Sequence, residues 1–132
     1  MNIVVDTSVA LAVITNEPHK EELVSLTRGS DLLAPASLPW EIGNAFSAMF
    51  KRGRITLSQA QQALGAYRQI PIRLCDVDLS RVLELSEDLD IYAYDAYVIV
   101  CALKHRCPLV SLDDGLLDAS RRVNVRVLEV GE

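Results

Sequence analysis

The stretch Ile3-Val4-Val5-Asp6-Thr7-Ser8 decides how the rest of the chain is read. Three apolar β-branched residues run straight into an acid. A short unbroken apolar run is the pattern of a strand covered on both faces. Asp6 falls where that strand ends, and Thr7-Ser8 read as the turn into a helix beginning near Val9. A carboxylate at the carboxyl end of a buried parallel strand lies where open α/β sheets hold their ligands. Asp is also a good helix cap. On this stretch alone, the cap and the functional acid are equally good readings of Asp6.

Outward from that strand, apolar runs alternate with amphipathic helical patterns, with no repeat, low-complexity tract or linker. Such alternation argues for a parallel sheet with helices on both faces. Residues 9–14 form a helix broken by Asn16-Glu17-Pro18, and a second helix runs from about Pro18 to a stop at Gly29. Leu32-Leu33-Ala34 is a second strand, ended by Pro35. Ile42, Ala45, Phe46, Met49 and Phe50 then trace one apolar helical stripe. Ser37 stands as the cap of that helix, Pro39 in its first turn and Gly53 at its end. Thr56 and Gln59 have capping-box spacing and open a further helix, with Ala60, Ala63, Leu64 and Tyr67 inward. These two helices read as an αα-hairpin. Ile72-Arg73-Leu74 is a third, weaker strand, and Asp78 caps a helix carrying Leu79, Val82, Leu83 and Leu89. Residues 93–103 are apolar nearly all round, the mark of a buried central helix. Residues 108–112 form a fourth strand that runs into Asp113-Asp114-Gly115, a helix follows through Leu116, Leu117 and Ala119, and residues 125–128 form a fifth strand.

A length of 132 residues suits one domain, residues 1–132, with a real core. Hydrophobic residues make up 50% and mean hydropathy is +0.20, which excludes a disordered chain. The longest apolar stretch, residues 96–103, is too short to cross a bilayer. The start lacks a basic segment and a cleavage site, so a cytoplasmic location is expected. Cys75, Cys101 and Cys107 are odd in number and show no C-x-x-C spacing. They read as reduced thiols, not as a zinc site or a disulfide frame. A net charge of −5 argues against a protein held on nucleic acid by overall charge. It leaves room for a nuclease whose bases are grouped, as in Lys51, Arg52 and Arg54, in Lys104, His105 and Arg106, and in Arg121-Arg122. Each group also reads as a helix end where cations favour the dipole.

Four acids hold comparable places: Asp6 after the first strand, Glu41 and Asp95 in early helix turns, and Asp113 after the fourth strand. In an open parallel sheet all four can face one end. The bland account is four separate caps or first-turn acids. It suits Asp6 and Asp113, and suits Glu41 and Asp95 less well, because each is set in apolar sequence and is not needed as a cap. Clustered carboxylates repel one another and cannot all ionise cheaply when partly buried. A hard divalent cation removes the conflict, and oxygen-only ligands select Mg²⁺ or Mn²⁺. Carboxylate-held Mg²⁺ points to phosphate chemistry. His19 and His105 lie far from these acids in sequence and read as surface histidines. No Ser-His-Asp set, Walker loop or G-x-G-x-x-G suggests another chemistry.

The motifs Val4-Val5-Asp6-Thr7-Ser8-Val9, Pro39-Trp40-Glu41-Ile42, Tyr94-Asp95-Ala96 and Val110-Ser111-Leu112-Asp113, in this order and spacing, resemble the PIN domain. In particular they resemble a VapC-type toxin of a bacterial or archaeal toxin–antitoxin pair. The resemblance spans essentially the whole chain. It implies a three-layer α/β/α fold with a mainly parallel sheet of order 3-2-1-4-5, and Mg²⁺- or Mn²⁺-dependent endoribonuclease activity. It also implies that Asp6 and Asp95 are the principal metal ligands and that Glu41 holds the metal directly or through water. Asp113 would be a fourth acid that orients water or holds a second ion, a role a one-residue shift would pass to Asp114. Ser8 and Ser111 match positions that are commonly small and hydroxylated. The implied partners are an RNA substrate, a cognate antitoxin protein and a second copy in a homodimer, with no membrane. The stripe of Phe46, Met49 and Phe50, with Trp40 nearby, reads either as core or as a groove for an antitoxin helix.

Other classes remain to be weighed. A solitary PIN-fold RNA-processing nuclease and a catalytically idle PIN-fold binding module both fit the motifs. A receiver-type phosphoacceptor fits less well, since it wants an acidic pair at the first strand and a lysine near the last. A haloacid-dehalogenase-like phosphatase wants an Asp where Ser8 stands.

Overall fold

The computed structural model describes residues 1–131. Strand β1 (Asn2–Val5) lies inside a parallel sheet. It pairs with β2 (Asp31–Pro35) through Ile3↔Leu32 and Val4↔Leu33. On its other side it pairs with β4 (Leu109–Val110) through Val4↔Leu109 and Val5↔Val110. Strand β3 (Ile72–Cys75) extends the sheet beyond β2, giving the order β3-β2-β1-β4. Side chains of a strand alternate between faces. Val4, Leu33 and Leu109 therefore enter one core with α5 (Leu79–Leu89), α6 (Ala93–His105) and α7 (Asp114–Arg122). Ile3, Val5, Ala34 and Val110 enter the other with α1 (Thr7–Ile14), α2 (Lys20–Thr27), α3 (Leu38–Lys51) and α4 (Leu57–Arg68). Ile3 and Val4 are fully buried, and each such burial stabilises by roughly 1.5–3 kcal/mol. The opening apolar run is thus held from both sides, in the expected three-layer α/β/α arrangement.

The fifth strand is a correction. Residues 125–128 make a single parallel bridge, Leu109↔Val127, with Leu109 N–H donating to the Arg126 carbonyl and Leu128 N–H to the Leu109 carbonyl. Strand β4 is only two residues long because the chain beyond it is diverted: Leu112 N–H donates to Ser8 Oγ at 2.9 Å. Too little ladder remains for a further strand, so the described sheet has four strands in place of the order 3-2-1-4-5.

Other local expectations divide along packing lines. The Thr56 capping box forms, with Gln59 N–H on Thr56 Oγ1 at 3.1 Å and Thr56 N–H on Gln59 Oε1 at 2.9 Å. Asp78 caps α5 as expected, but the buried residues of that helix are Val82, Leu85 and Leu89, while Leu79 and Leu83 face solvent. Of the α3 stripe, Ile42 and Phe46 are buried, whereas Phe50 and Trp40 are exposed. Ser37 occupies the cap position of α3 without capping it, because its hydroxyl is committed to Glu41. Among the described residues, no helix is long and apolar enough to cross a membrane.

Candidate metal centre at the carboxyl end of the sheet

Strand β1 continues to β2 on one side, and β4 lies on the other. The carboxyl ends of β1 and β4 therefore flank the topological switch point, where open α/β sheets hold ligands. Asp6 follows β1 there and is 7% exposed. Its Oδ1 accepts from Val9 N–H at 3.1 Å, capping α1, and from Ser8 Oγ at 2.6 Å. Its Oδ2 accepts from Ser111 Oγ at 2.6 Å. Oδ1 therefore makes Asp6 the cap of α1, while Oδ2 is held by Ser111. Ser8 also receives Leu112 N–H, and Ser111 receives Asp113 N–H at 2.9 Å. The two serines thus stitch the loop after β4 to the loop after β1, with Asp6 between them.

Glu41 arrives from α3 on one layer. Thr7 Oγ1 donates to its Oε1 at 3.0 Å and Ser37 Oγ to its Oε2 at 2.7 Å. Asp95 arrives from the first turn of α6 on the other layer. Asp113 caps α7, its Oδ1 accepting from Gly115 N–H at 2.9 Å and Leu116 N–H at 3.2 Å. All four acids therefore sit at helix N-termini, where the dipole favours negative charge.

The charges of these acids bear on one another. Burial pushes the Asp6 carboxyl above its ordinary value against the three donors that pull it down, and the charge of Asp113 pushes the same way. Burial likewise raises Glu41 despite Ser37 and Thr7, with Asp6 and Asp95 adding to the rise. Burial raises Asp95, reinforced by Asp113 and Asp6. It is Asp113, not Asp114, whose charge bears on Asp6 and Asp95. Among the described residues, no three of these acids bring an oxygen from each within 4.8 Å of one another. The donor set is oxygen-only, anionic and braced by hydroxyls, and it fits a hard divalent cation better than a soft one.

The basic groups lie elsewhere. Lys51 ends α3, Lys104 and His105 end α6, and Arg121 and Arg122 end α7. These are the opposite helix ends from those that bear Glu41, Asp95 and Asp113. Arg121 is engaged with Asp118 and Glu129, and Arg122 with the Leu89 carbonyl. Helix-end solvation accounts for them. The three cysteines are free thiols, and burial together with neighbouring Cys75 pushes the Cys101 thiol up to about 12. His105 is a correction: it is half-buried, not a surface histidine, and lies against Cys75 and Cys101. Its i, i+4 spacing from Cys101 was the available signal, but Cys75 lies far away in sequence. Thr7 and Ser37 read in sequence as a turn residue and a helix cap, and nothing there marked them as donors to Glu41.

A parallel sheet sandwiched by helices, with acids following its central strands and opening the flanking helices, places the chain among layered α/β/α proteins. The family model for the PIN domain matches residues 3–122, and the chain belongs to that family. It is 29% identical over 121 residues to VapC ribonuclease Mb0985 of Mycobacterium bovis, covering 90% of this chain and 91% of that protein. Among solved structures it resembles PAE2754 from Pyrobaculum aerophilum, with a TM-score of 0.74, 20% identity, and coverage of 96% of this chain and 83% of that one. It also resembles VapBC2 from Rickettsia felis, solved bound to a DNA fragment from its promoter, with a TM-score of 0.71, 16% identity, and coverage of 97% and 98%.

Proposed function

We propose that this protein is a divalent-metal-dependent endoribonuclease and the toxin of a type II toxin–antitoxin pair. The observation that carries the proposal is the gathering of Asp6, Glu41, Asp95 and Asp113 at the switch point, with three of them raised by burial and by one another's charge. Asp6 and Asp95 would hold a Mg²⁺ or Mn²⁺ ion, with Glu41 holding it directly or through water. Such an ion, when bound, supplies positive charge for a phosphodiester and lowers the pKa of attacking water. Ser8 and Ser111 fix both oxygens of Asp6, and Thr7 and Ser37 fix both oxygens of Glu41. That bracing holds the acids in place before any substrate arrives. Asp113, partly committed to its cap, keeps Oδ2 for orienting water. Trp40 and Tyr94 adjoin Glu41 and Asp95 and are 78% and 57% exposed. They offer faces on which unpaired bases stack.

The ribonuclease reading draws on the name of the Mycobacterium bovis relative, and the antitoxin on the VapBC2 complex. Exposed Trp40 and Phe50 favour α3 as the surface that an antitoxin helix covers. A homodimer is proposed with it, as is a single folded unit over residues 1–132. The test is cleavage of RNA by purified protein in Mg²⁺ or Mn²⁺. Asp6→Asn and Asp95→Asn should abolish cutting and leave the circular dichroism spectrum unchanged. Equal cutting by those variants would refute the assignment.

A further inference from the structure

Two thiols and one imidazole meet between β3 and α6. Cys75 closes β3, while Cys101 and His105 stand one turn apart on α6. One donor atom from each lies within 4.8 Å of the others. Both thiols are buried in the core between the sheet and α5–α7. Nε2 of His105 is closed off from solvent with no hydrogen-bond partner. Buried ring nitrogens are ordinarily paired, and the same imidazole brings one ring nitrogen to the two sulfurs.

We infer that Cys75, Cys101 and His105 form a second metal site, for a thiophilic cation of the Zn²⁺ class, separate from the carboxylate centre. Two sulfurs and an imidazole are a borderline-soft donor set, which prefers Zn²⁺ to Mg²⁺. The i, i+4 spacing puts two of the donors on one face of α6. Two sulfurs at about 2.3 Å from a tetrahedral ion lie about 3.8 Å apart. The cluster therefore needs to contract by no more than about 1 Å from its present limit of 4.8 Å. Three protein donors leave the fourth position of a tetrahedral ion without a protein ligand. The charge of Cys107 bears on Cys101, but its sulfur is outside the cluster. An ion here would clamp the end of β3 to the helix that carries Asp95, roughly 9 Å along the axis from Cys101 at 1.5 Å per residue. The inference stands whether or not the protein is a nuclease.

The test is a titration of the reduced, purified full chain with Co²⁺, a spectroscopic substitute for Zn²⁺. Thiolate-to-cobalt charge transfer should appear and saturate at one equivalent, and Zn²⁺ should bleach it. Carboxylates cannot produce that band, so Asp6→Asn should keep it, as should Cys107→Ser. Cys101→Ser should abolish it, and His105→Gln should weaken Co²⁺ binding at least tenfold. If Cys101→Ser does not fold, His105→Gln, altered at a half-exposed helix end, still decides. No band at equimolar Co²⁺, or a band unchanged in His105→Gln, overturns the inference.

Discussion

Replacing Ser111 with Ala tests the bracing of Asp6 most sharply. Ser111 is 2% exposed, donates to Asp6 Oδ2 at 2.6 Å and accepts Asp113 N–H at 2.9 Å. Loss of a hydrogen bond to a charged group costs about 1.5–3 kcal/mol, and a stranded buried N–H costs about 1–3 kcal/mol. Asp113 is exposed, so water rehydrates its N–H and the second figure falls to the low end. The net expectation is about 3 kcal/mol at pH 7, or roughly 10 °C in Tm. The assay is urea unfolding in EDTA, with the m-value unchanged. The loss should shrink as pH falls. Ser111 lowers the Asp6 pKa, so the variant raises it further, and a protonated Asp6 needs its lost donor less. Ser8→Ala removes a second donor from the same carboxylate. In the double variant Asp6 is driven to protonate, so the two losses should sum to less than additive, by about 0.5–3 kcal/mol. A loss below 1 kcal/mol at pH 7, strict additivity, or a loss that grows in acid would refute this account of Asp6.

Asp95→Asn should raise Tm at neutral pH in EDTA. The Asp95 pKa is raised in the folded state, so the wild-type side chain gives its stability below the unfolded value and loses it as pH climbs through the folded one. The gain should vanish in acid, and a Tm drop at neutral pH would contradict the repulsion. Mg²⁺ at a hundred times its dissociation constant should stabilise wild type by about 2.7 kcal/mol, read by scanning calorimetry. Asp6→Asn should lose most of that shift; an equal shift in the variant would place the ion elsewhere. Glu41→Gln keeps a side chain for Thr7 and Ser37 to contact, and should reduce RNA cleavage at least a hundredfold with little change in Tm. Thr56→Ala breaks the α4 capping box and should cost about 1 kcal/mol while leaving cleavage unchanged, since α4 carries none of the four acids.

The layered architecture was legible because periodicity records burial directly. Residues 3–5 announce a doubly covered strand, residues 93–103 a buried helix, and the motif order a PIN-like chain. The four acids could be paired with strand ends and helix starts for the same reason. What sequence could not supply was competition for hydrogen bonds. Ser37 has good capping chemistry, yet Glu41 takes its hydroxyl. Leu112 has strand chemistry, yet Ser8 takes its N–H, and the expected fifth strand dwindles to the Leu109↔Val127 bridge. Such contests are settled by groups distant in the chain, as is the meeting of Cys75 with Cys101 and His105. The side-chain stripe of α3 shows the same limit: spacing gave the helix, but not that Phe50 and Trp40 would stay uncovered.

The four acids stand at residues 6, 41, 95 and 113, in both helical layers and the middle of the sheet. A growing polypeptide therefore carries the first of them well before the last. Until β4 has docked beside β1, Asp6 lacks the Ser111 hydroxyl that holds its Oδ2. The centre proposed above is therefore completed only once the stretch from Ser111 to Asp113 has joined the fold.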